Sequence, residues 1–183
     1  MNDELTRVWG VGLGRTGTRS LCDALRLLGY GNVAHVPPFI NDLDKVDAGA
    51  EGICMSHFRY LDLRFPGSKF ILTTRELEPW LDSCKRAMED FPRERIEPES
   101  EFYNAMIRNR SARYGALDFD WHALIERFYQ HHYEVVSHFK GRPDQLLVID
   151  MTKGDPWKRL CPFLGVSLPD VAFPHISGKD GLS

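Results

Sequence analysis

Short apolar runs alternate with longer amphipathic segments along most of the chain. The apolar runs predict β-strands over about residues 7–12, 32–36, 52–55, 69–74 and 146–150. The amphipathic segments predict helices over about residues 17–29, 59–65, 76–90, 101–114 and 120–139. Strands that alternate with helices predict an α/β fold with three layers, in which helices cover both faces of a central, mostly parallel sheet.

One region interrupts this alternation. Residues 89–100 are strongly charged and contain two prolines, which predicts a loop, and two helical patterns follow without a strand between them. The second of these helices is predicted to bury one face, formed by Trp121, Leu124, Ile125, Phe128, His132, Val135, Val136 and Phe139. We predict that residues 1–183 form a single domain, in which the insertion at about 89–140 packs over the carboxyl edge of the sheet.

The first predicted strand ends in a glycine-rich loop. Residues 12–18 read Gly-Leu-Gly-Arg-Thr-Gly-Thr, and a helical pattern follows them. Such a loop presents backbone N–H groups and the positive end of a helix dipole to an anion. Gly12 and Gly17 have the spacing of the nucleotide-hydrolysing P-loop, but Thr18 and Arg19 stand where that motif has Lys and Ser/Thr. The loop predicts a phosphate site without the lysine that ATPases and kinases need.

A dinucleotide-binding loop is an alternative interpretation. Gly12, Gly14 and Gly17 match the spacing G-x-G-x-x-G, and Arg15 would suit a 2′-phosphate. That fingerprint also needs an acidic residue at the end of the second strand. The predicted second strand instead ends near His35, and no Asp or Glu follows before Asp42. An NAD(P)-binding oxidoreductase therefore stays open as the weaker alternative.

The loop resembles the 5′-phosphosulfate loop of sulfotransferases that use 3′-phosphoadenosine 5′-phosphosulfate (PAPS). The residues that carry the resemblance are Gly14, Arg15, Thr16, Gly17, Thr18, Arg19 and Ser20. Arg15 stands where most of that family has Lys, and the pattern G-x-x-R-T-G-T is that of a small single-domain group. The resemblance implies a P-loop-like fold of the sulfotransferase type and assigns these residues to the donor.

A second motif of the same family follows the fourth predicted strand. Arg75 ends that strand, and Ser83 lies eight positions further on, in the next predicted helix. The resemblance implies that Arg75 and Ser83 bind the 3′-phosphate of PAPS, for which an arginine fork and a hydroxyl are suited. The alternative is a surface ion pair of Arg75 with Glu76 or Glu78. In the closing tail, Gly178 and Lys179 would be the further contacts to the 3′-phosphate.

The resemblance also implies a reaction. A sulfuryl group would pass from PAPS to a hydroxyl or amine of a small-molecule or carbohydrate acceptor, without a metal. We expect the insertion at about 89–140 to form the acceptor side. Arg15 would stabilise charge on the leaving phosphate, since arginine does not readily give up a proton. His57, in the segment Met55-Ser56-His57, would be the catalytic base, with His35 as its competitor. A nucleotide-binding module that has lost turnover is the alternative suggested by Arg15 and Arg19.

Composition narrows the possible partners and compartments. The net charge of −3 argues against a nucleic-acid partner that is held by bulk electrostatics. No apolar run approaches the roughly 20 residues of a membrane helix, and the N-terminus lacks the pattern of a signal peptide, so we expect a cytoplasmic protein. Cys22, Cys54, Cys84 and Cys161 form no C-x-x-C pair, which predicts buried free thiols.

Overall fold

A five-stranded parallel sheet forms the centre of the molecule. The computed structural model describes residues 6–37, 39–89 and 100–176. The strands are β1 (Val8–Gly10), β2 (Val33–His35), β3 (Ala48–Ala50), β4 (Lys69–Thr73) and β5 (Leu146–Ile149). They lie in the order β2-β3-β1-β4-β5, and every neighbouring pair is parallel.

Helices fill the connections between the strands. They are α1 (Thr18–Leu27), α2 (Ile53–Ser56), α3 (Phe58–Arg64), α4 (Leu77–Glu89), α5 (Glu101–Tyr114), α6 (Trp121–His138) and α7 (Trp157–Leu164). A short 3-10 helix, Ile40–Lys45, precedes β3. The bounds of α1, α3, α5 and α6 confirm the predicted helices to within two residues.

Alternate strand residues point to opposite faces of the sheet, and each face has its own core. On one face, Val8 and Ile71 pack with Leu21 and Leu25 of α1 and with Leu160 of α7. On the other face, Trp9 and Phe70 pack with side chains of α3 and α6: Phe58, Leu61 and Val135. These two cores confirm the predicted α/β fold, with helices on both sides of the sheet.

The strand order distinguishes this sheet from a dinucleotide-binding fold. In that fold β1 lies between β2 and β4, because the order is 3-2-1-4-5-6. Here β1 lies between β3 and β4, so that Gly10 is level with Ala50 and Ile71 in its two neighbours. The segments that follow β1, β3 and β4 therefore meet at one edge of the sheet.

The third strand is earlier in the chain than the sequence predicts. Residues 52–55 were expected to form a strand, but they belong mainly to α2, and β3 is Ala48–Ala50. Ala and Gly have low strand propensity, yet the close packing requires them, since a Cβ on Gly49 would come 2.9 Å from Cys54 Sγ. The apolar run Ile53-Cys54-Met55 is buried on a helix instead, because a run this short fits either structure.

The buried face of α6 also differs from the predicted one. His131 is 1% exposed, whereas the expected His132 is only partly buried. Trp121 and Val136 were also expected inside, but they are 43% and 39% exposed. The face that packs is centred on Leu124, His131 and Val135, and His131 contacts Val11 O just after β1. All four cysteines are buried and free, as predicted.

Candidate functional site

The loop between β1 and α1 has the backbone of an anion cradle. Arg15 and Gly17 both have left-handed backbone conformations, with φ of 74° and 98°. Gly12 leaves no room for a side chain, since a Cβ there would come 2.0 Å from Thr73 Oγ1. Gly17 is the N-cap of α1, and no side chain caps its N-terminus. The first N–H groups of α1 thus remain available to an anion.

Side chains hold the carbonyl groups of this loop from outside. His131 Nε2 lies 2.6 Å from Val11 O, and Trp80 Nε1 donates to Gly14 O at 2.9 Å. Thr16 donates to Leu13 O at 2.6 Å. Carbonyl oxygens held outward leave the N–H groups of the same peptides to face inward, which favours an anion site.

His131 supports the loop as a neutral imidazole. Its burial lowers its pKa to about 4, and this outweighs the hydrogen bond to Val11 O, which favours a proton. At neutral pH the ring therefore carries one proton, which its contact with Val11 O assigns to Nε2. Arg127 Nη2 lies 3.4 Å from the other ring nitrogen, Nδ1.

Two residues from the separate sequence motifs are in direct contact. Arg15 Nε donates to Ser83 Oγ at 3.1 Å, although 68 positions separate them. Ser83 lies on α4 and is 4% exposed. The fold thereby joins the glycine-rich loop to the predicted 3′-phosphate motif.

Arg75 follows β4 at the same edge and is half-buried. Glu76, one of its two expected ion-pair partners, pairs with Lys153 instead, with Nζ 2.5 Å from Oε1. Among the described residues, the structure gives the Arg75 side chain no hydrogen bond or ion pair. Its guanidinium is therefore available to a ligand.

A buried polar cluster lies on the other side of the loop, around Glu51. The Thr18 hydroxyl donates to Glu51 Oε2, and His35 Nε2 lies 3.3 Å from the same oxygen. Arg113 of α5 forms an ion pair with the second oxygen, with Nη2 2.7 Å from Oε1. The side chain of Glu51 is only 6% exposed, so this carboxylate is nearly sealed from water.

The partners of Glu51 keep its carboxylate charged. Burial alone favours the neutral acid, but the Arg113 guanidinium and the hydrogen bonds from His35 and Thr18 outweigh it and lower the pKa of Glu51 to about 2. A carboxylate with this pKa is a poor proton acceptor at neutral pH. Glu51 therefore orients its neighbours and is not suited to act as a base.

The sequence predictions missed Glu51 and Arg113. Glu51 directly follows β3, and side chains at the carboxyl ends of parallel strands are candidates for ligand binding. The third strand was predicted at residues 52–55, so Glu51 stood before the predicted strand and was not considered. Arg113 lies in the insertion, where no motif marks it, and only folding brings it to Glu51.

The two candidate histidines have different surroundings. His35 Nε2 is 3.3 Å from Thr18 Oγ1, and its side chain is 23% exposed. An open cleft of about 230 Å³ borders His35 and is lined also by Arg19 and Arg26. His57 is exposed, and its Nδ1 lies 2.9 Å from Ser56 Oγ. Within the described chain, the hydrogen bonds bring His35 to the loop and leave His57 outside it.

The remaining loop residues contact solvent and the tail. Arg19 is exposed. Ser20 Oγ accepts a hydrogen bond from the backbone N–H of Ile176 at 3.1 Å, so the C-terminal segment crosses α1 next to the loop. Gly178 and Lys179, the expected tail contacts, lie outside the described residues.

Residues 6–37, 39–89 and 100–176 contain no group of three or more His, Cys, Asp or Glu side chains that is arranged to hold a metal ion. In the same ranges, no helix is both long enough and apolar enough to span a bilayer.

Comparison with known proteins identifies the family of this chain. A family model described as "Sulfotransferase domain" matches residues 7–51 and 39–181. A curated relative, "Ava biosynthesis cluster protein M" of Aspergillus versicolor, is 28% identical over 170 residues, which are 84% of this chain and 62% of that protein. This chain therefore spans less than two thirds of the length of that relative.

A solved structure shares the fold. The crystal structure of mouse sulfotransferase SULT7A1, complexed with PAP, superposes with a TM-score of 0.50 at 15% identity. The match covers 92% of this chain and 66% of the mouse protein. The match to the family model extends over nearly the whole chain and includes both motifs and the insertion. The chain belongs to the sulfotransferase domain family.

Proposed function

We propose that this protein transfers a sulfuryl group from PAPS to a hydroxyl or amine of a small-molecule or carbohydrate acceptor. The observation that carries the proposal is the hydrogen bond between Arg15 and Ser83. The two residues come from motifs that were assigned to different phosphates of one donor. Their contact supports a single site that binds both phosphates of the donor.

The hydrogen-bond donors of the site are suited to the two phosphates of an adenosine bisphosphate. The uncapped N-terminus of α1, with the backbone N–H groups of Thr16, Gly17 and Thr18, would hold the 5′-phosphate. Arg75 and Ser83 would hold the 3′-phosphate. The Thr18 hydroxyl donates its hydrogen bond to Glu51, so we assign the 5′-phosphate contact at this residue to its backbone N–H.

The reaction needs one bond to form and one to break. The acceptor oxygen or nitrogen attacks sulfur, the bond from sulfur to the bridging oxygen breaks, and its electron pair goes to the 5′-phosphate. Arg15 stabilises the charge that develops there and keeps its own protons. The proton of the acceptor passes to a histidine.

His35 is the better placed of the two candidate bases. When the proton of the neutral His35 ring is on Nε2 and faces Glu51, Nδ1 has a free lone pair. Nδ1 can then take the proton that the acceptor hydroxyl or amine loses. The cleft beside His35 gives an acceptor access to it. His57, the first choice from the sequence, shares no hydrogen bond with the loop in the described chain, and it stays the alternative.

Ligand-induced stabilisation tests the donor site directly. We expect adenosine 3′,5′-bisphosphate, the product of transfer, to raise the melting temperature more than 5′-AMP or NADP does. A ligand at about 100 times its Kd stabilises the native state by about 2.7 kcal/mol. A larger shift with NADP would favour the dinucleotide alternative, and no shift with the bisphosphate would contradict the proposal.

A matched pair of variants tests the 3′-phosphate assignment. Arg75→Gln should weaken bisphosphate binding about 10- to 100-fold, the usual effect of losing a charged hydrogen bond. Its affinity for 5′-AMP should change little, because AMP has no 3′-phosphate. Arg86→Gln removes the same charge from an exposed position of α4 and should leave both affinities unchanged.

A further inference from the structure

Arg113 brings a cation from the insertion onto the glycine-rich loop. A Cβ on Gly14 would come 2.5 Å from Cδ of Arg113 and 3.0 Å from its Nε, so the arginine lies against the loop backbone. Its side chain is 17% exposed. Helix α5 therefore places a charged residue against Gly14, the residue that precedes Arg15.

Glu51 fixes the orientation of this arginine. The ion pair between Arg113 Nη2 and Glu51 Oε1, at 2.7 Å, holds one end of the guanidinium. Glu51 itself has a left-handed backbone conformation, with φ of 65°. Residues other than glycine adopt this conformation rarely, because it strains the backbone. The fold keeps a strained residue at the end of β3, and that residue positions Arg113.

One donor of Arg113 is left over. Its Nε is buried and has no hydrogen-bond partner among the described residues, a state it shares only with Trp9 Nε1 there. Buried hydrogen-bond donors in native proteins are almost always paired. An unpaired donor loses its hydrogen bonds to water and gains none in the protein, which costs free energy. An unpaired guanidinium donor beside an anion loop is suited to an oxygen of the bound ligand.

We propose that Arg113 is a catalytic residue that binds the sulfuryl oxygens of the donor through Nε. This inference rests on the proposed function and names a contact within that site. The backbone of the loop accounts for one phosphate, and Arg75 with Ser83 for the other, so the sulfuryl group is the remaining anionic part of PAPS. Arg113 is linked through Glu51 to His35, so the proposed sulfuryl contact and the proposed base belong to one polar cluster.

The role of Arg113 in transfer is electrostatic. As the acceptor atom bonds to sulfur, the sulfur–oxygen bond to the 5′-phosphate breaks with its electron pair on the phosphate, and the acceptor proton goes to His35. Arg113 gains and loses no proton and holds the sulfuryl oxygens while sulfur passes between its two partners. A fixed guanidinium needs no reorganisation during that step.

The test compares two ligands that differ only in the sulfuryl group. We would measure the Kd of PAPS and of adenosine 3′,5′-bisphosphate for the native protein and for Arg113→Gln. We expect the variant to bind PAPS about tenfold more weakly and the bisphosphate within about twofold of the native value. Arg113→Lys, which retains the charge, should recover part of the PAPS affinity. Release of sulfate from PAPS should slow in the same order.

Two further variants keep the test decisive. Arg108→Gln removes a charge from an exposed position of the same helix and should leave both affinities unchanged. If Arg113→Gln fails to fold because Glu51 loses its partner, Arg113→Gln with Glu51→Gln removes both charges together. An unchanged ratio of the two Kd values in the folded variant would overturn the assignment of Arg113. A native protein that binds neither nucleotide would instead overturn the proposed function.

Discussion

The polar residues of the site pair across long stretches of sequence. Arg15 meets Ser83 on one side of the loop, and Glu51 meets Arg113 on the other. Each pair fixes a charged side chain that would otherwise move, so the loop presents a prepared surface to an anion. Arg15 and Ser83 could be named as candidates from the sequence because each belongs to a local motif. Arg113 could not, because nothing near it in the sequence indicates its partner.

The two histidines can be separated by matched substitutions. We expect His35→Ala to slow transfer about 10²- to 10⁴-fold, the usual contribution of a general base. His57→Ala should retain nearly the native rate, because His57 is exposed and its hydrogen bond goes to Ser56. Rates of sulfate release from PAPS, with bisphosphate affinity as the check on folding, measure both. The reverse ranking would restore His57 as the base.

Helices α4, α5 and α6, which lie between β4 and β5, pack against the glycine-rich loop. Trp80 of α4, Tyr114 of α5 and Leu124 of α6 pack with Leu13 of the loop in one apolar cluster. The insertion could be predicted as helices from its periodicity, but its contacts could not, since helical spacing does not say which loop a helix covers. The strand β3 was misplaced for a related reason, because close packing selected small residues that carry no strand signal.

A single substitution can remove the hydrogen bond between α4 and the loop. Trp80→Phe removes the donor to Gly14 O and keeps most of the buried ring. We expect it to lower the free energy of unfolding by about 1–3 kcal/mol, the cost of leaving a buried carbonyl unpaired, and to weaken bisphosphate binding. Denaturant unfolding and ligand titration measure the two effects.

A tryptophan at the surface provides the control for this change. Trp121→Phe alters a side chain that is 43% exposed and makes the same chemical substitution. It should leave stability and binding nearly unchanged. If the two variants lost bisphosphate affinity equally, the anchoring role of Trp80 would be contradicted.

At the scale of the whole molecule, a buried and neutral histidine joins α6 to the chain that leaves β1. The α/β architecture and the carboxyl edge as the site could be predicted from the alternation of elements. His131, which contacts Val11 O just after β1, was missed by one position. A periodicity of 3.6 residues leaves neighbouring positions at the border of a face unresolved.

This burial makes stability dependent on pH. The pKa of His131 falls from 6.5 to about 4 on folding, so the unfolded chain binds a proton in this range and the folded one does not. The contribution of the neutral ring is therefore complete above pH 6.5 and is lost as the pH falls towards 4. The slope is at most about 1.4 kcal/mol per pH unit for one proton.

Denaturant unfolding between pH 7.5 and pH 5 measures this dependence. His131→Gln should be less stable at neutral pH and should show a shallower decline on acidification. His122→Gln alters an exposed histidine and should retain the native slope. Equal slopes in all three proteins would contradict the role assigned to His131.

The buried thiols supply a built-in reporter of motion. Cys22, Cys54, Cys84 and Cys161 lie on α1, α2, α4 and α7, and burial raises the pKa of each. A thiol of this kind is alkylated only when its helix opens. Iodoacetamide labelling, followed residue by residue with mass spectrometry, would thus time the opening of four helices without an added probe. Because Cys84 is next to Ser83, bisphosphate should slow its labelling more than that of Cys161.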